Sequence, residues 1–176
     1  SILPKDGLSA MLAKKYEGKI KDDKRGYFVT EKLDGNRCIA HYDGTKWIFT
    51  SRNGKQMHVD FDMTGLPKEY VYDGEILSPQ QVKMSEEVAN VVINNLKDFT
   101  KFSCGFNETS GLINRHDKNK ELVYNIFDIM YDGVDYIDRR EVLSQLKPAN
   151  AEDIRILPTL AYVSNSKALE HIAANI

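Results

Sequence analysis

A lysine placed two residues before an Asp-Gly pair is the first feature of this sequence that could carry covalent chemistry. Residues 32–37 read Lys-Leu-Asp-Gly-Asn-Arg and follow 27–30, which has the composition of a strand. Side-chain alternation places Lys32 on the same face as Thr30, so the lysine either reaches solvent at a sheet edge or lines a pocket. For this segment alone, an edge lysine with its ammonium in water is the simpler interpretation.

Three further groups of residues follow in an order that changes this interpretation. Arg52 comes directly before an Asn-Gly pair, which is a strong turn signal. Asp73 and Glu75 place two carboxylates inside an apolar segment that is typical of a buried strand. Phe127 places an aromatic ring beside Asp128. Each group alone has an ordinary structural explanation, but together and in this order they form a specific signal.

The elements that must position these residues are short strands followed by helices. Strands are predicted at 27–30, 38–42, 46–50, 71–77, 121–130 and 154–157. Helices are predicted at about 85–98, 138–146 and 166–174, with a loop over 100–120. The Asp-Gly pair at 43–44 indicates a hairpin, and the carboxylate of Asp138 is expected to cap the second helix. Early hairpins followed by interspersed helices favour an α+β domain built on antiparallel sheet.

Two other patterns are interpreted as packing features. Six residues recur at helical spacing, and we expect this stripe to face the core: Met84, Val88, Val91, Val92, Asn95 and Leu96. Cys38 is flanked by apolar residues, so we expect a small buried side chain there.

Composition describes an ordinary folded domain. The chain has 176 residues, of which 41% are hydrophobic and 28% are charged, so collagen-like, low-complexity and largely disordered classes are excluded. We therefore expect one domain over residues 1–176. The net charge of −2 argues against a general nucleic-acid-binding protein. There is no long apolar run or secretion leader, and the two cysteines are too few for a disulfide framework, so we expect a cytoplasmic protein without a membrane span.

With these groups in place, the sequence resembles the covalent nucleotidyltransferases and, among them, the compact phage-type ATP-dependent DNA ligases. The nucleotidyl-lysine motif of that family, Lys-x-Asp-Gly-x-Arg, matches residues 32–37. Ser-Arg-Asn-Gly at 51–54, Asp-Gly-Glu at 73–75 and Phe-Asp at 127–128 match later motifs in order. Met-Leu-Ala at 11–13 resembles the segment that often opens the ligase adenylation domain.

The resemblance covers most of residues 10–146 and implies both a fold and a reaction. The implied fold is an α+β nucleotidyltransferase (ATP-grasp-like) domain, with antiparallel sheets flanked by helices and the nucleotide between them. The implied reaction has three steps: the lysine takes AMP from ATP, AMP passes to a DNA 5′-phosphate, and a 3′-hydroxyl displaces AMP to seal the nick. The implied ligands are ATP, Mg²⁺ and nicked duplex DNA. The implied setting is DNA repair, replication and recombination, with the protein acting as a monomer.

The resemblance also assigns roles to individual residues. Lys32 is the catalytic nucleophile that carries AMP. Nucleotide binding is expected of Thr30, Glu31, Lys32, Leu33, Arg37, Arg52, Glu75 and Phe127. Glu75 is expected to hold Mg²⁺, directly or through water, because this ion prefers oxygen ligands and keeps several waters. Arg52 is suited to clamp a phosphate bidentately, and Arg37 is expected to reach the ribose or the nick phosphate.

The adenine would be held by an aromatic ring and by a side chain that hydrogen-bonds its polar edge. Phe127 is expected to stack on the base, with Tyr124 as a competitor for that role. Thr30 would hydrogen-bond the exocyclic amine. For Glu31 two interpretations stay open, a nucleotide contact or a carboxylate at the surface or at the rim of the pocket, because strand alternation points it away from Lys32.

Other residues of the motifs receive supporting roles. Asp34 is expected to fix the turn that carries the lysine, and Gly35 to give that turn its backbone freedom. Asp73 is expected to hydrogen-bond its own turn. Asp128 is expected to brace its strand and not to catalyse.

One departure from the family pattern shapes the functional expectation. The family normally follows these motifs with a Glu-Gly strand motif and then a Lys-x-Lys motif, and neither precedes Ile176. We therefore expect a chain that stops before its pocket is complete, lacks the oligonucleotide-binding domain and is weak or inactive in full ligation. Two alternatives stay open: an mRNA-capping-type guanylyltransferase that uses GTP, and a non-catalytic nucleotide-binding fragment.

Overall fold

The computed structural model describes residues 10–14, 24–96, 122–163, 166, 167 and 170, and the structural statements below concern these residues. The strands are β1 (Tyr27–Thr30), β2 (Asn36–Tyr42), β3 (Trp47–Thr50), β4 (Tyr72–Leu77), β5 (Val123–Ile129), β6 (Ile154–Ile156) and β7 (Thr159–Val163). The helices are α1 (Pro79–Leu96) and α2 (Tyr136–Gln145).

The strands form two sheets. The larger sheet has the order β3-β2-β4-β5-β6, and its neighbours are antiparallel except for β5 and β6, which are parallel. The smaller sheet pairs β1 with β7, whose register places Tyr27 opposite Val163. The α+β class is thus confirmed, with one parallel pair added to the antiparallel arrangement that the sequence predicts.

Local turn signals produced the hairpins that the sequence predicts. The Asp-Gly pair at 43–44 joins β2 to β3, and the carboxylate of Asp43 accepts hydrogen bonds from the backbone N–H groups of Thr45 and Lys46, each at 2.8 Å. The second turn closes where the Gly54 N–H donates to the carbonyl of Ser51 at 2.9 Å. These turns are built from residues close in sequence, which explains why they are readable from it.

The main core lies against the larger sheet. Tyr124 has no solvent exposure, its ring stacks on Phe61 with centroids 5.5 Å apart, and its hydroxyl donates to the carbonyl of Cys38 at 2.8 Å. Tyr124 is therefore a core residue, and the prediction that it competes for base stacking is wrong. Cys38 is buried as predicted, and this desolvation raises the pKa of its thiol to about 12.

Helix α1 begins at Pro79, six residues before the predicted start at 85. The Ser78 N–H donates to the side-chain oxygen of Gln81 at 2.9 Å, and the Gln81 N–H donates back to the Ser78 hydroxyl at 3.2 Å. This reciprocal pair is a capping box, followed by a proline in the first turn, where its missing N–H costs nothing. The sequence contains both signals, but the spacing of the apolar residues favoured a later start of the helix.

The predicted stripe of α1 faces the core only in part. Val92 is half-buried against a core cluster that contains Ala161 and Val163, but the prediction is wrong for three other apolar residues of the stripe. Met84, Val88 and Val91 are 58%, 45% and 60% exposed. The side chains that face the interior are Val82, Ser85, Glu86 and Ala89. The helix is rotated in this way because its buried face carries the carboxylate of Glu86, which forms an ion pair with Arg155 on β6.

Helix α2 begins at Tyr136, and Asp138 does not cap it. Asp135 occupies the cap position without a side-chain hydrogen bond to the helix. The carboxylate of Asp138 instead accepts two hydrogen bonds from Arg25, at 2.8 and 2.9 Å. A partner more than a hundred residues away in sequence thus took the carboxylate that a local rule assigned to the cap.

Two of the sequence predictions concern residues outside the described ranges, and one strand of the structure was not predicted. The predicted loop over 100–120 lies outside them, as does the end of the predicted helix beyond 96. Of the predicted closing helix over 166–174, Ser166, Lys167 and Glu170 are described, and they are helical. Strand β7 was not predicted. In the described part of the chain, no helix has the length and apolar character needed to cross a membrane.

Candidate active site

A large cavity lies where the chain crosses from the smaller sheet to the larger one. Its volume is about 920 Å³. Segment 31–35, which joins β1 to β2, forms one side of it. The residues that the sequence assigns to nucleotide binding all line this cavity: Thr30, Glu31, Lys32, Leu33, Arg37, Arg52, Glu75 and Phe127. The structure thus brings the dispersed motifs together, and the role of each residue stays a prediction.

We call the side chains that the larger sheet contributes to the cavity the floor: Arg37, Asp73, Glu75, Phe127 and Asp128. Arg37 and Glu75 are register partners on β2 and β4, and Asp73 lies two residues before Glu75. Alternation along each strand therefore puts these three side chains on one face.

An ion pair anchors this floor. Arg37 donates to both carboxylate oxygens of Asp73, from Nε at 2.7 Å and from Nη2 at 2.6 Å. The Asp73 side chain is only 4% exposed, and the hydrogen bond to it raises the pKa of Arg37. Asp73 is structural as expected, and its carboxylate accepts a hydrogen bond from the neighbouring Gly74 N–H. It lies in strand β4 and not in a turn, and Arg37 is its side-chain partner.

Arg37 makes two further contacts. Its Nη2 donates to the carbonyl of Met11 at 2.6 Å, so the Met-Leu-Ala segment at 11–13 is held against the cavity that it lines. Its guanidinium carbon lies 5.0 Å from the centroid of the Phe127 ring, within the range of a cation–π contact. Arg37 therefore holds the floor together in this structure, and a contact with ribose or a nick phosphate is an additional role still to be tested.

A β-bulge aims Phe127 into the cavity. Gly74 pairs with Ile126 and Asp73 pairs with Asp128, which leaves Phe127 as the extra residue on β5. Neighbouring residues of a regular strand would face opposite sides, yet Phe127 and Asp128 both line the cavity. Asp128 braces this region as expected, because its Oδ1 accepts from Arg139 Nε at 2.9 Å.

Glu75 connects the floor to segment 31–35, which we call the Lys32 loop. Its Oε2 accepts a hydrogen bond from the Gly35 N–H at 2.9 Å. Burial raises the pKa of Glu75, while the Gly35 N–H and the Arg37 charge act in the opposite direction. The carboxylate is thus partly desolvated beside the cavity, with one oxygen fixed by the loop.

Position 35 requires glycine because the backbone there lies very close to strand β4. A Cβ there would lie 2.3 Å from the carbonyl oxygen of Ile76 and 2.6 Å from Leu77 Cδ2. The backbone of Gly35 does not have a positive φ, so the expectation that this glycine supplies conformational freedom is wrong. The absence of a side chain lets the loop reach Glu75.

We call the exposed side chains that loops contribute the rim: Lys32, Asp34 and Arg52. Strand β1 ends at Thr30, so Lys32 lies in the connecting loop, where strand alternation does not decide its direction. Within the described residues, the side chains of Lys32 and Arg52 have neither an ion pair nor a hydrogen bond. The loop itself is tied to α1, because Gln81 Nε2 donates to the carbonyl of Asp34 at 3.1 Å.

Glu31 turns inward, toward α1. Its Oε1 accepts a hydrogen bond from the hydroxyl of Ser85 at 2.5 Å, and the side chain is half-buried. Glu31 is therefore not a freely exposed surface carboxylate, although its position at the edge of the cavity agrees with the other form of that interpretation, a rim carboxylate. Its other predicted role, a nucleotide contact, stays a prediction.

The sequence did not identify Tyr136 as a site residue. Tyr136 lines the cavity at the start of α2, forms a side-chain hydrogen bond with Thr30 and makes an edge-on contact with Phe28 at 6.3 Å. Burial raises the pKa of its hydroxyl. No local signal marks this tyrosine, because it reaches the cavity only after α2 has packed against β5.

The side chains of the cavity fit a magnesium ion that keeps most of its waters. Within the described ranges, no group of three or more His, Cys, Asp or Glu side chains could hold a metal ion. Glu75 offers one carboxylate oxygen that the Gly35 N–H does not occupy. Because Mg²⁺ prefers oxygen ligands, needs few from the protein and commonly shares phosphate oxygens with a nucleotide, a single carboxylate is enough.

Comparisons with known proteins agree with this arrangement. Residues 10–176 match a protein-family model described as "ATP dependent DNA ligase domain". A comparison with curated proteins found no match. Among solved structures, the chain is similar to one from a structure-function analysis of Lig E DNA ligases, which concerns DNA binding with a minimal scaffold. The identity is 21%, the TM-score is 0.56, and the alignment covers 95% of this chain and 56% of that one.

These comparisons carry different weight. At 21% identity the structural likeness shows a shared fold, and the chain spans little more than half of the neighbour's length. The family model matches nearly all of the chain. The chain therefore belongs to the ATP-dependent DNA ligase domain family, and its α+β fold is that of the adenylation (nucleotidyltransferase) domain.

Proposed function

We propose that this domain performs the adenylation step of ATP-dependent DNA ligation, with Lys32 as the nucleophile. The Lys32 amine forms an N–P bond to the α-phosphorus of ATP as the bond from that phosphorus to the bridging oxygen breaks. Pyrophosphate leaves, the surplus proton of the amine passes to solvent, and AMP remains on the lysine. The single observation that carries the proposal is that Lys32, unpaired within the described residues, shares one cavity with Arg52, Glu75 and Phe127.

The amine of Lys32 is available to a nucleotide. Within the described residues no carboxylate forms an ion pair with it, so no bond to the protein must break before the amine meets a phosphate. Arg37 is already neutralised by Asp73 at 2.6 Å, so Arg52 is the arginine of the cavity whose charge is available to the phosphates.

The phosphates would bind between the rim and Glu75. The guanidinium of Arg52 is exposed and unpaired within the described residues, so it can form two parallel hydrogen bonds to a phosphate. Phosphoryl transfer accumulates negative charge on the phosphate oxygens, which cations must stabilise. Magnesium, when bound at Glu75, would neutralise part of that charge.

The base would bind against Phe127. The bulge places this ring in the cavity, where an aromatic face suits a purine. The hydroxyls of Thr30 and Tyr136 lie in the same cavity and can bond the polar edge of the base. Adenine is the expected base because ATP gives the family its name.

The later steps concern a DNA partner. Transfer of AMP to the 5′-phosphate of nicked duplex DNA, and sealing by the 3′-hydroxyl, are the steps that family membership suggests for the whole protein. Roles in repair, replication and recombination, a monomeric state and a cytoplasmic setting accompany this proposal. Adenylation is the step that the described residues themselves address, so it is the step to test first.

Labelling with ATP tests the proposal. We expect α-labelled ATP with Mg²⁺ to leave an acid-labile, alkali-stable label that peptide mapping places on Lys32, whereas γ-labelled ATP should leave none. Lys32→Arg should abolish the label, and Lys55→Arg should retain it because Lys55 does not line the cavity.

Two other outcomes would overturn the proposal. Label from GTP and not from ATP would favour a guanylyltransferase. Binding of ATP without any covalent transfer, at saturating nucleotide and metal, would identify a non-catalytic nucleotide-binding domain.

A further inference from the structure

A buried arginine outside the cavity connects its two sides. Arg155 lies on β6 with no solvent exposure, and it does not line the cavity. Its Nε donates to Glu86 Oε1 at 2.8 Å. Its Nη1 donates to the hydroxyl of Ser85 at 3.0 Å and to the amide oxygen of Asn125 at 3.1 Å. One guanidinium thus joins β6 to both α1 and β5.

Ser85 and Asn125 each form a further hydrogen bond to a residue that lines the cavity. The Ser85 hydroxyl donates to Glu31, the residue directly before Lys32. The Asn125 amide donates to the backbone carbonyl of Glu75 at 3.2 Å. Arg155 is therefore one hydrogen-bonded side chain away from the Lys32 loop on one side and from Glu75 on the other.

These contacts close a ring. The Gly35 N–H bonds the Glu75 carboxylate, so the loop that follows Lys32 is attached directly to the strand that Arg155 holds through Asn125. The loop that precedes Lys32 is attached through Glu31. Lys32 lies between the two attachments, and its backbone can move little without breaking one of them.

We propose that Arg155 is a positioning residue for adenylation, which fixes the Lys32 loop relative to Glu75 through Ser85 and Glu31. The inference rests on the proposed function and extends it to a residue that touches neither substrate nor cavity. Nucleophilic attack depends strongly on the placement of the amine, and a misplacement of about 1 Å can cost about a hundredfold in rate.

Stability alone does not account for such a network. A buried ion pair is commonly no more stabilising than apolar side chains of similar volume, because both charges lose their hydration. Here the pair occupies the face of α1 that packs inward, while Met84, Val88 and Val91 of the same helix stay exposed. The polar network instead fixes the orientations of its side chains, since each hydrogen bond constrains the next group.

The test compares Ser85→Ala with a matched control. Ser85→Ala removes the link from Arg155 to Glu31 and leaves the pair of Arg155 with Glu86 intact. Ser144→Ala is the control, since this hydroxyl on α2 bonds only the carbonyl of Glu141 within the described residues and lies outside the cavity. Arg155→Lys, with folding checked by circular dichroism, interrupts both arms.

We expect Ser85→Ala to slow single-turnover formation of the lysine label about tenfold at saturating ATP, while the half-saturating ATP concentration changes less than about twofold. In a Glu31→Ala background, Ser85→Ala should cause no further slowing, because its effect passes through Glu31. Ser144→Ala should label like the parent chain, and Arg155→Lys should be slower than Ser85→Ala.

Other results would overturn the inference. Labelling by Ser85→Ala at the parent rate would show that the link does not position the lysine. Equal slowing with and without Glu31 would show that Ser85 acts by another route. Amide hydrogen exchange over 31–35 needs no activity, and it should be faster in Ser85→Ala; unchanged exchange refutes the restraint. If the parent chain does not label at all, the proposed function fails, and the exchange experiment still decides whether the restraint exists.

Discussion

The floor and the rim of the cavity carry the same kinds of charged groups but hold them in opposite ways. On the floor, Arg37 is bonded to both oxygens of Asp73, and the two side chains are 17% and 4% exposed. On the rim, Lys32 and Arg52 are exposed and, within the described residues, unpaired. A cation in water can exchange hydration for a phosphate, whereas a cation already bonded to a carboxylate has little to gain.

The difference separates two functions of charge at one site. On the floor, the Arg37–Asp73 pair and the contacts around it fix the positions of Phe127 and Glu75. The rim keeps its donors available for a ligand. We therefore expect substitutions that break the Arg37–Asp73 pair of the floor to lower stability and activity together, and substitutions on the rim to lower activity alone.

Asp73→Ala should have the largest effect on stability. It leaves Arg37 without its carboxylate in a partly buried position, and we expect the free energy of unfolding to fall by about 3 kcal/mol. Urea denaturation measures this, and labelling should fall with it. Asp60→Ala, at an exposed carboxylate outside this cavity, should change stability by less than about 0.5 kcal/mol. A loss below about 1 kcal/mol for Asp73→Ala would contradict an anchored floor.

Gly35→Ala should damage the junction of floor and rim. The new Cβ would meet the Ile76 carbonyl oxygen at 2.3 Å, so the loop must move away from β4. We expect a loss of about 1–3 kcal/mol in stability and about a hundredfold in labelling rate.

Gly44→Ala separates backbone strain from this clash. Gly44 has a φ of +102°, and a Cβ added there would meet no atom within 4 Å, so alanine costs about 1–2 kcal/mol of strain far from the site. It should leave labelling unchanged. Equal labelling by both variants would show that close approach at Gly35 is unimportant for the reaction.

Arg52→Lys should affect the rim alone. Lysine keeps the charge but loses the planar pair of donors, so we expect labelling to slow about tenfold, or about 1.4 kcal/mol in the barrier. The midpoint of thermal unfolding should not change, because within the described residues Arg52 has no partner to lose. A lower midpoint would place Arg52 with the floor instead.

Glu75→Gln should have a small effect on stability, and the size of this effect depends on pH. Burial raises the pKa of Glu75, so the folded state favours the protonated form, and the stability from this preference is lost as pH rises through the raised pKa. Glutamine stays neutral, so the variant should be slightly more stable than the parent above that pKa and equal to it below about pH 4. Thermal melts across this range measure the difference.

The same substitution should lower activity. The ionised carboxylate is the form that would hold Mg²⁺, so labelling by the parent chain should rise with pH through the raised pKa of Glu75, and Glu75→Gln should label weakly throughout. Labelling that does not depend on this carboxylate would contradict its place in the site.

Sequence reasoning succeeded where neighbouring residues decide the structure. The turns after β2 and β3 and the position of β4 were predicted, because Asp-Gly, Asn-Gly and apolar runs act within a few residues. The motifs identified in the sequence all meet in one cavity. The start of α1 was also encoded locally, in Ser78 and Gln81, although the apolar period concealed it.

The errors share a physical cause. Tyr124, Asp138 and the stripe of α1 were each assigned by a local rule, and each was decided by a partner far along the chain. The pairing of β1 with β7 joins residues more than a hundred positions apart, so no window of sequence contains it.

By itself, then, the sequence determined which chemical groups this protein has and roughly which short elements carry them, because motif spacing and turn chemistry are local. The tertiary structure alone decided which charges are paired and which remain available. It also decided that hydrogen bonds through Ser85 connect an arginine on β6 to the loop that carries Lys32. Pairing depends on distances between distant segments, and those distances exist only after the chain has folded.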